Sequence, residues 1–366
     1  MKKIAVTAGF ILGIILLGIL FIQVRERETN VTKYETKVGV LLTGTIDDES
    51  WSQSHYEGME QAAGKLNLLV KYEEKVPEDE KCFALIEELI EDGCEIIVAT
   101  SFGYGPHMEA AAKLHPEIYF FHASGVIYGK NLATYFGRIY QIRYLSGIVA
   151  GMQTETNQIG YVAAFPLDEV NRGINAFTLG VRSVNPDANV YVVWTNSWGD
   201  DELTAQVTEK LLSEHEIDVL TLHSDSNIPL EIAEEREIWS IGYHADNHEK
   251  YPNSYLTASV WQWKNFYEPH ILECLQGKFR GQHCWVDADT EAIALAPLTK
   301  NVKDGIAEVV DTKRKQIRNG TWDVFFGPVK DRDGRIRVAE GESMTDDVML
   351  NAFDWYVEGV ITDEKE

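Results

Sequence analysis

At 366 residues the chain is longer than one hydrophobic core usually serves, and its 45% hydrophobic residues are enough to fill two lobes. The formal net charge of -25, from 58 acids against 33 Lys and Arg, weighs against nucleic acid or anionic lipid as a partner, since both need a basic patch.

In chain order, Ile4 to Val24 is a run of 21 residues without a charge, between Lys2-Lys3 and Arg25-Glu-Arg-Glu28. It is long enough to cross a hydrocarbon core of about 30 Å. A secretory signal peptide has a shorter apolar stretch and a small-x-small cleavage site, so the run predicts an uncleaved signal anchor over residues 1–24. No cysteine precedes Cys82, so the lipidation site of a bacterial lipoprotein is missing. The expected location is the cell membrane, with one pass through the bilayer and the folded part on the extracytoplasmic side. Residues 25–36 are polar and aperiodic, and read as a linker.

Beyond the linker, short apolar runs at 38–42, 68–72, 95–99, 118–122, 159–164, 189–194, 218–222, 238–242 and 256–260 alternate with amphipathic stretches. That rhythm predicts an α/β fold of parallel strands with crossover helices. The unit occurs twice: Val38-Gly-Val-Leu-Leu is echoed about 121 residues later by Ile159-Gly-Tyr-Val-Ala-Ala, and Glu95-Ile-Ile-Val-Ala-Thr-Ser by Asp218-Val-Leu-Thr-Leu-His-Ser. Two doubly wound lobes with a cleft between their strand ends follow. We expect lobe 1 to comprise 37–140 and 258–296, and lobe 2 to comprise 141–257 and 297–361, with several hinge crossings that permit closure on a ligand.

Candidate site residues lie where strands run into helices. The loop after the first strand carries Asp47, Asp48 and Trp51, which offer acceptors for ring N–H groups and an aromatic face to stack on. The plainer role for the two acids is to serve the N-terminus of the following helix. Trp51 and Trp198 occupy strand-to-helix loops, where a core role competes with a binding one. Trp261 and Trp263 alternate so as to share a face, which packing also explains. Phe102 and Tyr104, beside Gly103 and Gly105, either line the cleft or pack beneath it. For Asp246 the rival is a helix N-cap. Asp225, in the loop after the run at 218–222, joins the candidate ligand-binding set.

Other chemistry finds little support. His244-Ala-Asp-Asn-His248 lacks the glutamate of a His-Glu-x-x-His zinc motif, and Asp331-Arg-Asp-Gly334 fails the later positions of a calcium loop, leaving a turn. There is no Gly-x-Gly-x-x-Gly, phosphate loop or Gly-x-Ser-x-Gly, so no nucleophile, base, metal or cofactor is indicated and an enzyme is not expected. Cys82 and Cys94 bracket a helical run whose ends stand about 18 Å apart, beyond disulfide reach. Buried free thiols are expected for all four cysteines.

From about Lys37 to Val360 the chain resembles the basic membrane protein (BMP) family of substrate-binding proteins, which includes purine nucleoside receptors of ABC importers. The resemblance rests on the order and spacing of Asp48-x-x-Trp51 with Gly58, Gly93-Cys-Glu-Ile-Ile-Val-Ala-Thr-Ser-Phe-Gly-Tyr104, Glu169-Val-Asn-Arg-Gly-Ile-Asn-Ala-Phe177, Val184-Asn-Pro-Asp187, Trp194-Thr-Asn-Ser-Trp198, Ile241-Gly-Tyr-His-Ala-Asp246, Phe326-Gly-Pro328 and Asp354-Trp-Tyr-Val-Glu-Gly-Val360. It implies a type I periplasmic-binding fold, no catalysis, a purine between the lobes and ABC permease subunits as partners of a monomer. Carried over residue by residue, Asp48 is the acid that bonds the base, and Trp51 and Trp198 are the two stacking aromatics. Ser52 stands where nucleoside receptors have Asn, and Asp246 matches the acid directed at ribose hydroxyls. The family's lysine after the strand ending near Ser259 is absent, and Gln262 lies near its place within Trp261-Gln-Trp263. This departure favours a free base such as adenine over a nucleoside. A membrane-anchored sensor on the same fold is the alternative function.

Overall fold

The computed structural model describes residues 36–362. The expected signal anchor at 1–24 lies outside the described residues, as does all of the linker but Thr36. Among the described residues no helix is long and apolar enough to cross a membrane.

The buried run at Val38 forms β1 (Lys37–Leu41), followed by α1 (Trp51–Leu66), β2 (Leu69–Glu73), α2 (Glu80–Glu91), β3 (Cys94–Ala99), α3 (Gly105–Leu114), β4 (Tyr119–Ala123) and β5 (Leu132–Gly137). The second series is α4 (Tyr140–Gln153), β6 (Gln158–Ala163), α5 (Asp168–Val184), β7 (Asn189–Trp194), α6 (Asp201–Glu214), β8 (Val219–His223), α7 (Ile228–Glu235), β9 (Trp239–His244) and β10 (Tyr255–Trp261). After it come α8 (Lys264–Leu275), β11 (His283–Val286), β12 (Ile293–Leu295), α9 (Ile306–Arg318), a small hairpin of β13 (Val329–Lys330) and β14 (Ile336–Val338), α10 (Asp346–Asn351) and β15 (Val360–Thr362).

Two sheets result. The first has the order β11-β5-β4-β3-β1-β2 and is parallel throughout. In the second, β12-β10-β9-β8-β6-β7-β15, only β12 runs antiparallel. Strands buried on both faces read as unbroken apolar runs, which is why the sequence located most of them. Strand β5 escaped because Thr134 interrupts its apolar run, although all six of its residues are buried.

Three crossings link the sheets: β5 to α4, β10 to α8, and β11 to β12. They touch one another, since a Cβ on Gly137 would stand 2.4 Å from Ile293 Cγ2 and 2.7 Å from Trp261 Cζ3. The expected lobe boundaries need correction here. Residues 258–261 pair within the second sheet as part of β10, and 293–295 pair with them as β12, so only β11 of the segment 258–296 joins the first sheet. The whole of β10 is buried, so the chain stays in that sheet until Trp261. One hydrophobic cluster runs through both sheets, and 37–362 belong to a single compact unit.

The chain after α9 folds back on α5. Asn171 and Asn175 donate their amides to the carbonyls of Phe353 and Trp355 at 3.0 and 2.8 Å, and Asp168 accepts the N–H of Phe353 at 2.9 Å. Asp331 accepts the N–H groups of Asp333 and Arg335, making the turn expected of Asp331-Arg-Asp-Gly334. All four cysteines are free and buried.

Candidate functional site

The loop leaving β1 does not present its acid as expected. Asp48 Oδ1 accepts the N–H groups of Ser50 and Gln53, both at 2.9 Å, and Oδ2 accepts that of Ser52 at 3.0 Å. A carboxylate so placed satisfies the orphan donors of the first turn of α1, the plainer of its two roles. Ser52 is buried, and its hydroxyl accepts from Gly44 N at 2.9 Å, which fixes the loop.

Trp51 donates its indole N–H to Thr100 O at 2.7 Å and lies edge-on to His55, His244, Trp261 and Trp263 at 4.4 to 5.7 Å. Trp261 stacks on Trp263 at 4.6 Å, and Trp263 stacks on His55 at 4.6 Å. Exposures of 8%, 5% and 0% for the three tryptophans make this block a core that ties α1 to the second crossing. Tyr104 is likewise fully buried, with its hydroxyl on Val76 O at 2.7 Å, while Phe102 is 63% exposed, so the two part company. Gln262 is exposed and lines a cavity of about 240 Å³ with Ile142, Ala288, Ile293, Arg314 and Arg318, and none of the other candidates lines it.

What remains converges on the carboxyl ends of the second sheet. Trp198, beside Phe165, accepts the N–H of Asp225 on its carbonyl at 2.7 Å. Asp225 Oδ1 lies 3.1 Å from His244 Nε2. Asp246 faces His248 Nδ1 at 3.1 Å and shapes the turn there. Asp225 and Asp246 each keep more than a quarter of the side chain exposed, and Trp198 about a third. Sequence reasoning missed the groups behind them. Arg143 of α4 is fully buried, donates to Leu222 O at 2.7 Å and lies 3.7 Å over the Tyr243 ring. His223 bridges Tyr161 and Glu169, at 3.1 Å on each side. Burial, against the attraction of Glu169, holds His223 down at about 4. Burial pushes Glu169 upward, but His223 and Arg172 outweigh it and leave the carboxyl at about 2.

The two sheets also hold each other through Glu49, a residue of the first-sheet loop at φ 54°. Its carbonyl accepts the side-chain amides of Asn227 and Asn247, both at 3.0 Å, and its carboxylate pairs with Lys250 at 2.6 Å. The contact latches the α1 loop to the loops after β8 and β9. Replacing both asparagines by alanine should cost about 1 kcal/mol per lost bond and widen the molecule. An unchanged radius of gyration in solution scattering would contradict the latch.

Two largely parallel sheets, three touching crossings and a polar rim at the strand ends define a bilobal ligand-binding protein of the periplasmic-binding type. The model of PnrA-like ABC transporter substrate-binding proteins, the Bmp family, matches residues 35–324. The chain belongs to that family. It is 31% identical over 326 residues to a purine-binding protein of Brucella abortus strain 2308, covering 88% of this chain and 92% of that one. It is 34% identical over 317 residues to a putative ABC transporter glucose-binding protein of Haloferax volcanii, covering 86% and 78%. Among solved structures, a transcriptional activator of the comK gene from Bacillus halodurans superposes with a TM-score of 0.70 at 21% identity, covering 78% of this chain and 99% of that one, and shows the shared fold.

Proposed function

We propose that this substrate-binding protein captures a purine, a free base such as adenine in preference to a nucleoside, and delivers it as a monomer to the permease of an ABC importer. The observation that carries the reading is that two partly exposed carboxylates, Asp225 and Asp246, and the ring of Trp198, about a third exposed, all lie in loops at the carboxyl ends of the second sheet. Carboxylate acceptors match ring N–H groups, and an indole stacks a base with about 1–3 kcal/mol. The name of the Brucella relative supports the purine. A base is favoured because Gln262, near the place of the family's lysine, lines a different cavity from the rim. The N-terminal run is read as the tether that keeps the binding domain on the extracytoplasmic face of the cell membrane.

Calorimetric titration of the full-length chain tests this with adenine, adenosine, hypoxanthine, inosine and D-glucose. Adenine is expected to bind about tenfold or more tightly than adenosine, since a pocket shaped for the base has no partners for the sugar hydroxyls. The name of the Haloferax relative makes glucose the rival, and binding of glucose alone would overturn the purine. A membrane-anchored sensor is the second reading, favoured by the uncharged run at 4–24 with no cysteine ahead of Cys82. Purine uptake that is unaffected by deleting the chain, with binding intact, would select it.

A further inference from the structure

We propose that His244 and Asp225 act together as the specificity-determining edge of the site, a hydrogen-bond donor beside an acceptor that reads a ring nitrogen and a neighbouring amino group. The inference rests on the purine reading and deepens it.

The tautomer of His244 follows from its neighbours. The Trp261 indole N–H lies 2.9 Å from His244 Nδ1. An indole nitrogen only donates, so Nδ1 accepts, and the neutral imidazole carries its proton on Nε2. That Nε2 is buried and has no aligned hydrogen-bond partner in the protein, although Asp225 Oδ1 is only 3.1 Å away. A buried donor left without a well-directed acceptor is uncommon and calls for an explanation.

The backbone holds the ring where it is. His244 ends β9 with φ 67°, the left-handed region that a side-chain-bearing residue adopts at a cost. Its imidazole is caught between Tyr243, at 3.8 Å between centroids, and the edge of Trp51, at 5.3 Å. The side chain is 5% exposed, against 28% for Asp225. The donor is therefore fixed from behind while the acceptor beside it reaches solvent.

A donor and an acceptor about 3 Å apart complement a heterocycle edge with an acceptor nitrogen next to an exocyclic amino group. Adenine has such an edge. Unsubstituted purine has the same ring nitrogens without the amino group, so it would satisfy Nε2–H and leave the Asp225 carboxylate unpaired. Asp48, the acid assigned to the base from sequence, is engaged by its own helix, and Asp225 takes that role.

The two residues then have separable signatures. Titrating the full-length chain with adenine and with purine, we expect the parent to favour adenine by about 10- to 100-fold, the worth of a hydrogen bond to a charged group. Asp225→Asn should narrow that preference to about threefold or less, because an amide is cheaper to leave unpaired than a carboxylate. His244→Phe should weaken both ligands by one common factor of about tenfold, since both lose the same ring-nitrogen bond. If the phenylalanine variant does not fold, the adenine-to-purine ratio of Asp225→Asn decides alone. A parent that binds adenine while Asp225→Asn keeps the parental ratio overturns the pair and leaves the purine reading standing. A parent that binds neither ligand overturns both.

Discussion

A methyl group added at Gly147 or at Gly180 is expected to cost at least about 3 kcal/mol of stability, the upper range for overpacking a well-filled core. Helices α4 and α5 cross with their backbones in contact. A Cβ on Gly147 would stand 2.1 Å from Phe177 O, and one on Gly180 would stand 2.1 Å from Tyr144 O. The clash is reciprocal, and in each case the obstacle is a carbonyl of the facing helix, so no side chain can swing aside. Relief requires the helices to part. That would displace Arg143, which lies on α4 one turn from Gly147 and donates to Leu222 O at the end of β8. Either alanine variant should therefore weaken ligand binding as well as the fold. Gly64 is the control, a helical glycine with nothing within 4 Å of its Cβ position. Gly64→Ala should stabilise α1 by about 0.5–1 kcal/mol through helix propensity. Denaturant unfolding that finds Gly147→Ala as stable as the parent would refute the close crossing.

How much of this was legible in the sequence depended on how local the cause was. The alternation of apolar runs and amphipathic stretches located most strands of the two sheets, because most of them are buried and apolar by their own composition. It missed β11, β12 and β15, which are three or four residues long and owe their pairing to neighbours distant in sequence. The boundary at 258 failed for a related reason, since composition does not change where β10 continues to Trp261. In the site, residue type misled where a side chain had two physical uses. A carboxylate four residues before a helical N–H serves that helix, as Asp48 does, and a tryptophan at the start of a helix or the end of a strand packs as readily as it stacks on a ligand, as Trp51 and Trp261 do. His244 carries a signal of its own beyond the zinc motif, since it is the last residue of a buried strand, at the end where ligands bind. Glu49 lies 178 and 198 residues from Asn227 and Asn247, and nothing short of the folded chain brings it to them.

Acid is expected to unfold the protein in two stages, with buried histidines responsible for the first. His223 is 1% exposed, between the Tyr161 hydroxyl and Glu169, with the Tyr243 ring 4.5 Å away and Arg143 adding positive charge. Burial holds its folded value at about 4 against 6.5 for a free histidine. The unfolded chain then binds the proton more readily than the folded one, so the contribution is whole above about pH 6.5 and declines as the pH falls toward 4. At about 1.4 kcal/mol for each pH unit, the loss is on the order of 3 kcal/mol. His55, buried beneath Trp263 and near His244, is displaced downward by burial and adds to the loss in the same direction. Glu169 acts lower. Its folded value of about 2 lies below 4.5, so its contribution is whole above about pH 4.5 and is lost only as the pH falls toward 2. Melting temperatures measured from pH 7.5 to 4.5 should therefore fall steeply for the parent. They should fall more gently for His223→Gln, which starts lower because the glutamine fits the Tyr161–Glu169 bridge less well but has no proton to take up. Parallel curves for the two proteins would remove His223 as the source, and a flat parental curve would mean that neither histidine is held neutral by burial.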